Sequence, residues 1–532
     1  MSTPPNGDAA RSMAPQANRE TNVVPFVYRH VLHGRAFKNA KKPLLVMKFG
    51  GTSVGDASCM LRVVDIVRAA SVRSNLVVVV SAMSGVTNKL IEAATLSQAG
   101  DRQAALAIFE GLRKQHDATL QSLLDSPEER DRTAKKLLAI LQEGQCLCED
   151  AALRRTVSPA ARDAISSLGE RLSAPLVAAA LAERGVPSEA VDAAEVVVTN
   201  SIHGGADPLM DLTRERCEAR LGTLLRQGII PTVTGFLGAT MGGALTTLGR
   251  GGSDYSATIL AAALKADEVI IWTDVDGVLT ADPRLVQGPS PIPEISYREA
   301  ADLAYFGAKV LHPKTLRPVM QSEIPVWIRN TFAPERLGTK ITPAGSPSQV
   351  GVKAVTAISD VALITVGGNA MVGVQDVLAR TFRAIATVPA EVLLISQTSS
   401  QNDLYFVVPS ECARRTVDEL RREFAADLGD EAEAHITLDR EIAIVAAVGQ
   451  DMRGTPGIVK RVSGALDRDN VRVLAMVQGP SECNVSFLVA KKDAKTALAV
   501  IHEEFQLGGT TAQSLSLARL ASDSRPGYSA GG

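Results

Sequence analysis

The stretch LLVMKFGGTSVG, residues 44–55, decides the fold. Leu44 to Met47 form an apolar run that leads into Lys48, and Gly50, Gly51 and Gly55 follow before a helical pattern begins. An apolar run of this kind suits a strand buried on both faces of a parallel sheet. Glycines at a strand-to-helix junction let backbone N–H groups approach phosphate oxygens, and the helix N-terminus adds the positive end of a dipole. The lysine stands before the glycines, whereas the common G-x-x-x-x-G-K-[ST] loop has it after them. That loop is absent from the chain and so is G-x-G-x-x-G, which removes the main support for a dinucleotide dehydrogenase. Alone, the stretch leaves two readings open: a nucleotide loop, or a tight turn with a solvated lysine.

Outward from this stretch the same alternation continues to about Arg329. Strands are expected at 44–49, 76–81, 195–199, 229–235, 268–273 and 325–329, with amphipathic segments such as 58–70 and 255–265 between them. This pattern predicts an α/β domain over 44–342, a mostly parallel sheet sandwiched by helices. Residues 91–155 read as almost wholly helical, with acid–base pairs such as Glu128–Arg132, and form an insertion packed on one side of the sheet.

Bulk properties exclude several classes of function. The net charge of −2 over 532 residues gives no basic field to attract nucleic acid or anionic lipid. No apolar stretch is long enough to span a bilayer, so neither nucleic acid nor membrane is an expected partner. Cys59, Cys146, Cys148, Cys217, Cys412 and Cys483 form no C-x-x-C pair and have no histidine cluster nearby. Neither a protein metal site nor a disulfide framework is expected, and a reducing cytoplasm fits. Residues 1–43 are rich in Pro, Asn, Ala and Arg without an apolar core, which opposes a secretory signal and reads as a disordered extension. Residues 521–532 read as a disordered tail.

Four further stretches carry chemistry. TTLGRGGSDYSA (246–257) is a second glycine loop before a helix, and it places Arg250 opposite Lys48. Asp254 aligns Lys48 by charge, caps the helix, or does both. WTDVDGVLTADPR (272–284) begins as a buried strand and ends in a turn able to offer backbone groups to a purine and Arg284 to phosphates. Its Asp274, Asp276 and Asp282 fail the downstream glycine and glutamate positions of a calcium loop. SSLGERLSA (166–174) sets Glu170 and Arg171 beside a glycine at an expected helix start. FGAKVLHP (306–313) offers Lys309 as a second phosphate-neutralising charge in preference to a surface lysine.

Beyond Gly345 the chain repeats itself. Residues 360–408 lie over 441–489 at a constant offset of 81 without a gap. Gly368 meets Gly449, Met371 meets Met452, Gln397 meets Gln478 and Phe406 meets Phe487. Each copy reads strand–turn–helix–strand–turn–strand, which predicts two paired α+β units at 343–435 and 436–520.

KFGGTSVG, SAMSGVTNKL, SSLGERLSA, GRGGSDYSA, WTDVDGV-x-TADPR and FGAKVLHPKTL, in this order, resemble the aspartate kinases of the amino-acid kinase superfamily. The likeness runs from about Leu44 to Val489. The duplicated unit resembles the paired ACT domains that bind amino-acid effectors in that family. The resemblance implies the amino-acid kinase fold followed by two ACT-type units. It also implies MgATP-dependent phosphorylation of the L-aspartate β-carboxylate to 4-phospho-L-aspartate, the first step of lysine, threonine and methionine biosynthesis. By the same likeness, Lys48 stabilises the transferring phosphoryl group and Asp254 organises Lys48. Ser81, Thr87, Glu170, Arg250 and Ser253 hold aspartate, with Arg250 on the α-carboxylate and Glu170 on the ammonium. Gly50, Gly51, Thr273, Asp274, Leu279, Arg284 and Lys309 contact ATP, with Leu279 standing where many members have tyrosine.

Elementary chemistry agrees: a carboxylate nucleophile is already ionised at neutral pH, so transfer needs positioning and positive charge rather than a general base. Met371, Gln397, Met452 and Gln478 are either effector contacts or packing positions of a duplicated fold. The stretches ISQTSS and VQGPSE are nearest to the regulatory halves of aspartate kinase–homoserine dehydrogenases, which respond to threonine. The expectation is a monofunctional kinase inhibited by threonine, with lysine next, assembled as a homodimer or a dimer of dimers. Two other readings are a catalytically dead amino-acid sensor and a kinase of the same fold acting on another acid. The intact set Lys48, Glu170, Arg250 and Asp254 opposes the first, and the duplicated units with SSLGERLSA oppose the second.

Overall fold

Eleven described strands precede the repeat, and their side-chain alternation explains the apolar runs. They are β1 (Leu44–Phe49), β2 (Asn75–Val80), β3 (Ser188–Val191), β4 (Val198–Thr199), β5 (Ile230–Thr234), β6 (Leu237–Thr240), β7 (Leu245–Thr247), β8 (Glu268–Thr273), β9 (Glu294–Ser296), β10 (Val326–Asn330) and β11 (Thr339–Thr342). The computed structural model describes residues 42–508 apart from 309–310, 347–350, 368–373, 389, 398–402, 426–434, 453 and 479–482. The main sheet runs β3-β5-β2-β1-β8-β10-β11-β9, and β4-β6-β7 form a second, small sheet. In the main sheet only the β10–β11 pair is antiparallel, so the expected mostly parallel sheet is present.

Both faces of this sheet are covered. Val46, Val77, Val79, Val269 and Ile271 pack with Ile259 and Leu260 of the helix Gly252–Leu264. Their neighbours Met47, Phe49, Val78, Val80 and Ile270 pack on the other face with Met60, Leu90 and Leu172. These come from the helices Ala57–Ser71, Val86–Ala99 and Pro159–Glu183. Successive side chains point to opposite faces, so a strand covered on both sides is apolar at every position.

Several expectations change. The segment 195–199 is a 3₁₀ turn at Ala193–Glu195 followed by the two-residue β4, and it joins the small sheet. Strands β3, β6, β7, β9 and β11 are short and carry polar residues or glycine, so no apolar run marks them. The helical insertion comprises Val86–Ala99, Arg102–Leu123 and Pro127–Arg154. Arg132 pairs with Glu129 at 2.6 Å, not with Glu128. Glu170 and Arg171 lie in the middle of a helix rather than at its start. That helix begins at the Ser158 N-cap with Pro159 in its first turn, and Gly169 serves a close approach, since a Cβ there would stand 2.6 Å from the Ala82 Cβ.

The repeat contains β12 (Gly351–Ile358), β13 (Val361–Gly367), β14 (Leu394–Gln397), β15 (Leu404–Pro409), β16 (His435–Asp439), β17 (Ile442–Gln450), β18 (Val473–Gln478) and β19 (Asn484–Ala490). They form two antiparallel sheets, β14-β15-β13-β16 and β18-β19-β17-β12, of identical order. The pairing crosses the boundary placed between 435 and 436. β12 lies inside the first unit as bounded at 343–435 but joins the sheet of the second, and β16 lies beside β13 of the first. The exchange is symmetric, because Ile358 faces Ile444 and Asp439 faces Leu363, and the offset of 81 maps one pair onto the other.

The second unit docks on the helix Tyr297–Tyr305. Lys353 Nζ meets Glu299 Oε1 at 2.9 Å in a fully buried pair. Asn484 Nδ2 donates to Asp302 Oδ2 at 2.7 Å, and Thr356 Oγ1 donates to the Phe306 carbonyl at 3.0 Å. Among the described residues no helix is long and apolar enough to cross a membrane.

Candidate active site

The strand order reverses at β1, with β2 on one side and β8 on the other, and ligands in open α/β sheets bind at the carboxyl edge of such a point. Lys48 stands at that edge. Period-two alternation puts it on the Val46 face, toward the helix Gly252–Leu264 that carries Asp254. Lys48 Nζ and Asp254 Oδ1 are 2.5 Å apart, with both side chains largely buried. The N-cap of that helix is Gly251, held at φ 67° with no side-chain cap. Asp254 therefore does not cap the helix; it sits in the first turn, near the positive dipole end, and faces Lys48.

Glu170 completes the centre from the opposite side. It is 4% exposed, and its carboxyl meets the Ala82 amide, the Ser253 hydroxyl and the charge of Lys48. Among the described residues Oε2 has no hydrogen-bond partner. Burial dominates these interactions and pushes the carboxyl up to about 8. Ser81 follows β2, where its amide donates to the Phe49 carbonyl at 3.1 Å and its carbonyl accepts from Ser173 Oγ at 2.7 Å. Thr87 lies one turn further, in the helix Val86–Ala99, and is half-buried.

The loop that bears Arg250 is held by a residue the sequence reading passed over. Asp163, 3% exposed, accepts hydrogen bonds from Thr247 Oγ1 at 2.7 Å, from the Thr247 amide at 3.2 Å and from the Gly204 amide at 3.1 Å. Its carboxylate also bonds His203 Nδ1 at 2.8 Å. Arg250 itself is exposed beside this network. The signal was present: Asp163 precedes Glu170 by two helical turns and shares its buried face.

On the nucleotide side, Gly50 follows β1 and its amide donates to the Trp272 carbonyl at 3.1 Å. A Cβ on Gly50 would stand 3.6 Å from Lys48 Nζ, and one on Gly51 would stand 3.0 Å from the Ala82 carbonyl oxygen. Both positions form a cradle that a side chain would fill, which suits close approach by phosphate. Thr273 ends β8 and donates to the exposed Asp274 at 3.2 Å. Asp276 is a structural carboxylate, bonded to Asn330 at 2.7 Å and to Arg336. Leu279 is half-buried and bridges to Pro291, and Arg284 is exposed and pairs with Asp282 at 2.5 Å. Lys309 lies outside the described residues.

The effector candidates separate. Gln397 and Gln478 end the edge strands β14 and β18 at equivalent places, and both are exposed. Met452 is 2% exposed in the core of the second unit, which is the packing role. Met371 lies outside the described residues. A cavity of about 780 Å³ opens away from the Lys48 centre, between Arg284 and Leu285 on one wall and Lys495, His502 and Gln506 on the other.

The sequence profile of the amino acid kinase family matches residues 43–330, and that of the ACT domain matches 364–424 and 445–505. The chain is 35% identical to the lysine-sensitive aspartokinase 3 of Escherichia coli, over 86% of this chain and 98% of that protein. It is 35% identical to a chloroplastic bifunctional aspartokinase/homoserine dehydrogenase of Zea mays, over 88% of this chain and 51% of that one. The chain thus spans about half the length of the bifunctional relatives it matches. The crystal structure of E. coli aspartokinase III with aspartate and ADP, described as an R-state, superposes with a TM-score of 0.73 at 33% identity, covering 87% of this chain and 99% of that one. The same enzyme with lysine and aspartate, described as a T-state, gives a TM-score of 0.70 over 86% and 99%.

Proposed function

Because the chain belongs to the amino acid kinase family and, within it, to the aspartokinases, we propose that it transfers the γ-phosphoryl group of ATP to the β-carboxylate of L-aspartate. The observation that carries this reading is the Lys48–Asp254 pair facing Glu170, a buried carboxyl with one unpartnered oxygen. That oxygen is a ready acceptor for a substrate ammonium. Ser253 lies beside Glu170, and with Ser81 and Thr87 it is assigned to hold aspartate, while Arg250 is assigned as a fork for the α-carboxylate.

A carboxylate oxygen of aspartate attacks the γ-phosphorus as the bond to the ADP oxygen breaks. One P–O bond forms, one is lost, and no proton moves. Lys48, held in line by Asp254, meets the charge on the transferring group, and the Gly50–Gly51 backbone leaves room for it. Thr273, Asp274, Leu279, Arg284 and Lys309 are assigned to ATP. Mg²⁺ bound with the triphosphate would offset its charge, and Asp274 would be the residue to hold it. The likeness to an enzyme solved with aspartate and ADP supports both substrates.

Feedback by an aspartate-derived amino acid completes the reading, with 343–435 and 436–520, joined by strand exchange, as the effector units. The resemblance of ISQTSS and VQGPSE to the regulatory halves of aspartate kinase–homoserine dehydrogenases supports threonine, and the likeness of the whole chain to a lysine-sensitive enzyme supports lysine. Gln397 and Gln478 are the assigned effector contacts. Val473, Leu474 and Met476 are exposed apolar residues on the edge strand β18, which supports a homodimer joined through these units. A reducing, cytoplasmic setting belongs to the same reading.

Trapping the acyl phosphate with hydroxylamine tests the reaction. Aspartate, ATP and Mg²⁺ together should yield the hydroxamate. Product from another acid and none from aspartate overturns the proposal. Titration of activity with threonine and lysine, singly and together, separates the two effectors.

A further inference from the structure

The loop that ends in Arg284 is built into the core of the second regulatory unit. Ala281 and Val286 are buried in one apolar cluster with Val355, Val445, Leu498 and Ile501, and Leu285 packs against it. These partners come from β12, β17 and the last helix, Ala494–Glu504. Every polar atom of Thr280, the residue before Ala281, is engaged. Its amide donates to the Ser290 carbonyl at 3.0 Å, and its carbonyl accepts from the Val355 amide at 2.8 Å. Its hydroxyl accepts from the Ser290 amide at 3.1 Å and shares a 3.0 Å hydrogen bond with His502 Nε2.

Two further links tie the same hairpin to the end of the unit. Ser290 Oγ donates to the Leu507 carbonyl at 2.9 Å, and Pro289 bridges to Gly508. His502 is 5% exposed, and burial holds its imidazole below the usual range, so the bond to Thr280 joins two neutral groups.

We infer that the second regulatory unit forms part of the nucleotide site, with His502 and Thr280 as positioning residues that set the 279–287 loop, and with it Arg284, where ATP requires them. The inference rests on the reading that this loop binds ATP. Asp276 and Val278 tie the start of the loop to the sheet, through Asn330 and Thr339, but the anchors on either side of the exposed Arg284, Ala281 before it and Leu285 and Val286 after it, pack into the regulatory unit. A loop whose inner side chains belong to another unit's core takes its position from that unit. The unit would therefore be needed for ATP binding itself, apart from any effector.

Steady-state kinetics of the full chain test this. Thr280→Val removes the hydroxyl at nearly constant size, and His502→Leu removes its partner. Each should raise KM for ATP about three- to tenfold while KM for aspartate stays unchanged. The double variant should be no worse than the poorer single one, because both remove the same bond. His502→Gln, which can still bond Thr280, should recover most of the loss. If His502→Leu does not fold, Thr280→Val and Ser290→Ala carry the test. Variants that lower Tm but leave KM for ATP unchanged overturn the inference. Arg284→Ala separates its failure from that of the loop assignment. If Arg284→Ala leaves KM for ATP unchanged, the assignment fails; if it raises KM while Thr280→Val does not, only the positioning role fails.

Discussion

Lys48 and Glu170 show how one side chain's surroundings decide its chemistry. Lys48 leaves the strand end with its ammonium held by Asp254 at 2.5 Å. Lys48→Ala should lower kcat by about two to three orders of magnitude and change KM for ATP far less. A rise in KM for ATP alone would reduce the loop to a nucleotide grip. Glu170 is held near 8 by burial, so below that pH the free enzyme keeps it mostly protonated. Binding of an ammonium favours the ionised form, and binding therefore releases a proton. Apparent affinity for aspartate should rise as pH climbs toward 8, by up to about tenfold per unit, and then level off. Glu170→Gln should bind aspartate weakly with a flat profile. A flat profile in the unaltered enzyme between pH 6.5 and 8 would remove Glu170 from the ammonium site.

The elements of the catalytic region differ in how plainly the sequence announces them. β1 and β8 were legible to the residue, because strands covered on both faces are apolar throughout. β3, β6, β7, β9 and β11 were not, because each is a few residues long and partly polar. The helix Pro159–Glu183 was read too short for a related reason. Gly169 looks like a boundary, yet it admits Ala82 at a distance no side chain tolerates. The same helix carries Asp163, which ties three backbone or hydroxyl donors and His203 into the support of the Arg250 loop. Asp163→Ala leaves those donors buried without a partner. It should cost about 3 kcal/mol in a denaturant melt and raise KM for aspartate more than KM for ATP. Equal changes in both constants would mean that Asp163 supports the fold and not the loop.

At the scale of the molecule, the regulatory units exchange their first strands, and the division of the chain follows the sheets rather than the repeat. A segment spanning 343–435 contains β12, whose partner is β17, and lacks β16. A segment spanning 360–440 carries all four strands of one sheet. Expressed separately, the second should give the more cooperative thermal melt by circular dichroism. Equal melts would show that the exchanged strands contribute nothing to either unit. The buried Lys353–Glu299 pair and the Thr280 contacts then fix the second sheet to the catalytic region, so the two regions share their boundary.

The sequence by itself determined the fold class and the duplicated C-terminal unit, and it picked out Lys48, Glu170 and Asp254, which the structure brings together. These are written in local signals: apolar runs, glycine loops at strand ends, and a register that repeats without gaps. Only the tertiary structure decided which strand belongs to which unit, that Asp254 faces Lys48 instead of capping its helix, and that the 279–287 loop is packed into a regulatory core. The physical reason is separation along the chain. Thr280 meets His502 through one hydrogen bond and Asp163 meets Thr247 through two, contacts that leave no periodic trace, and a strand's residues do not name the neighbour across the ladder.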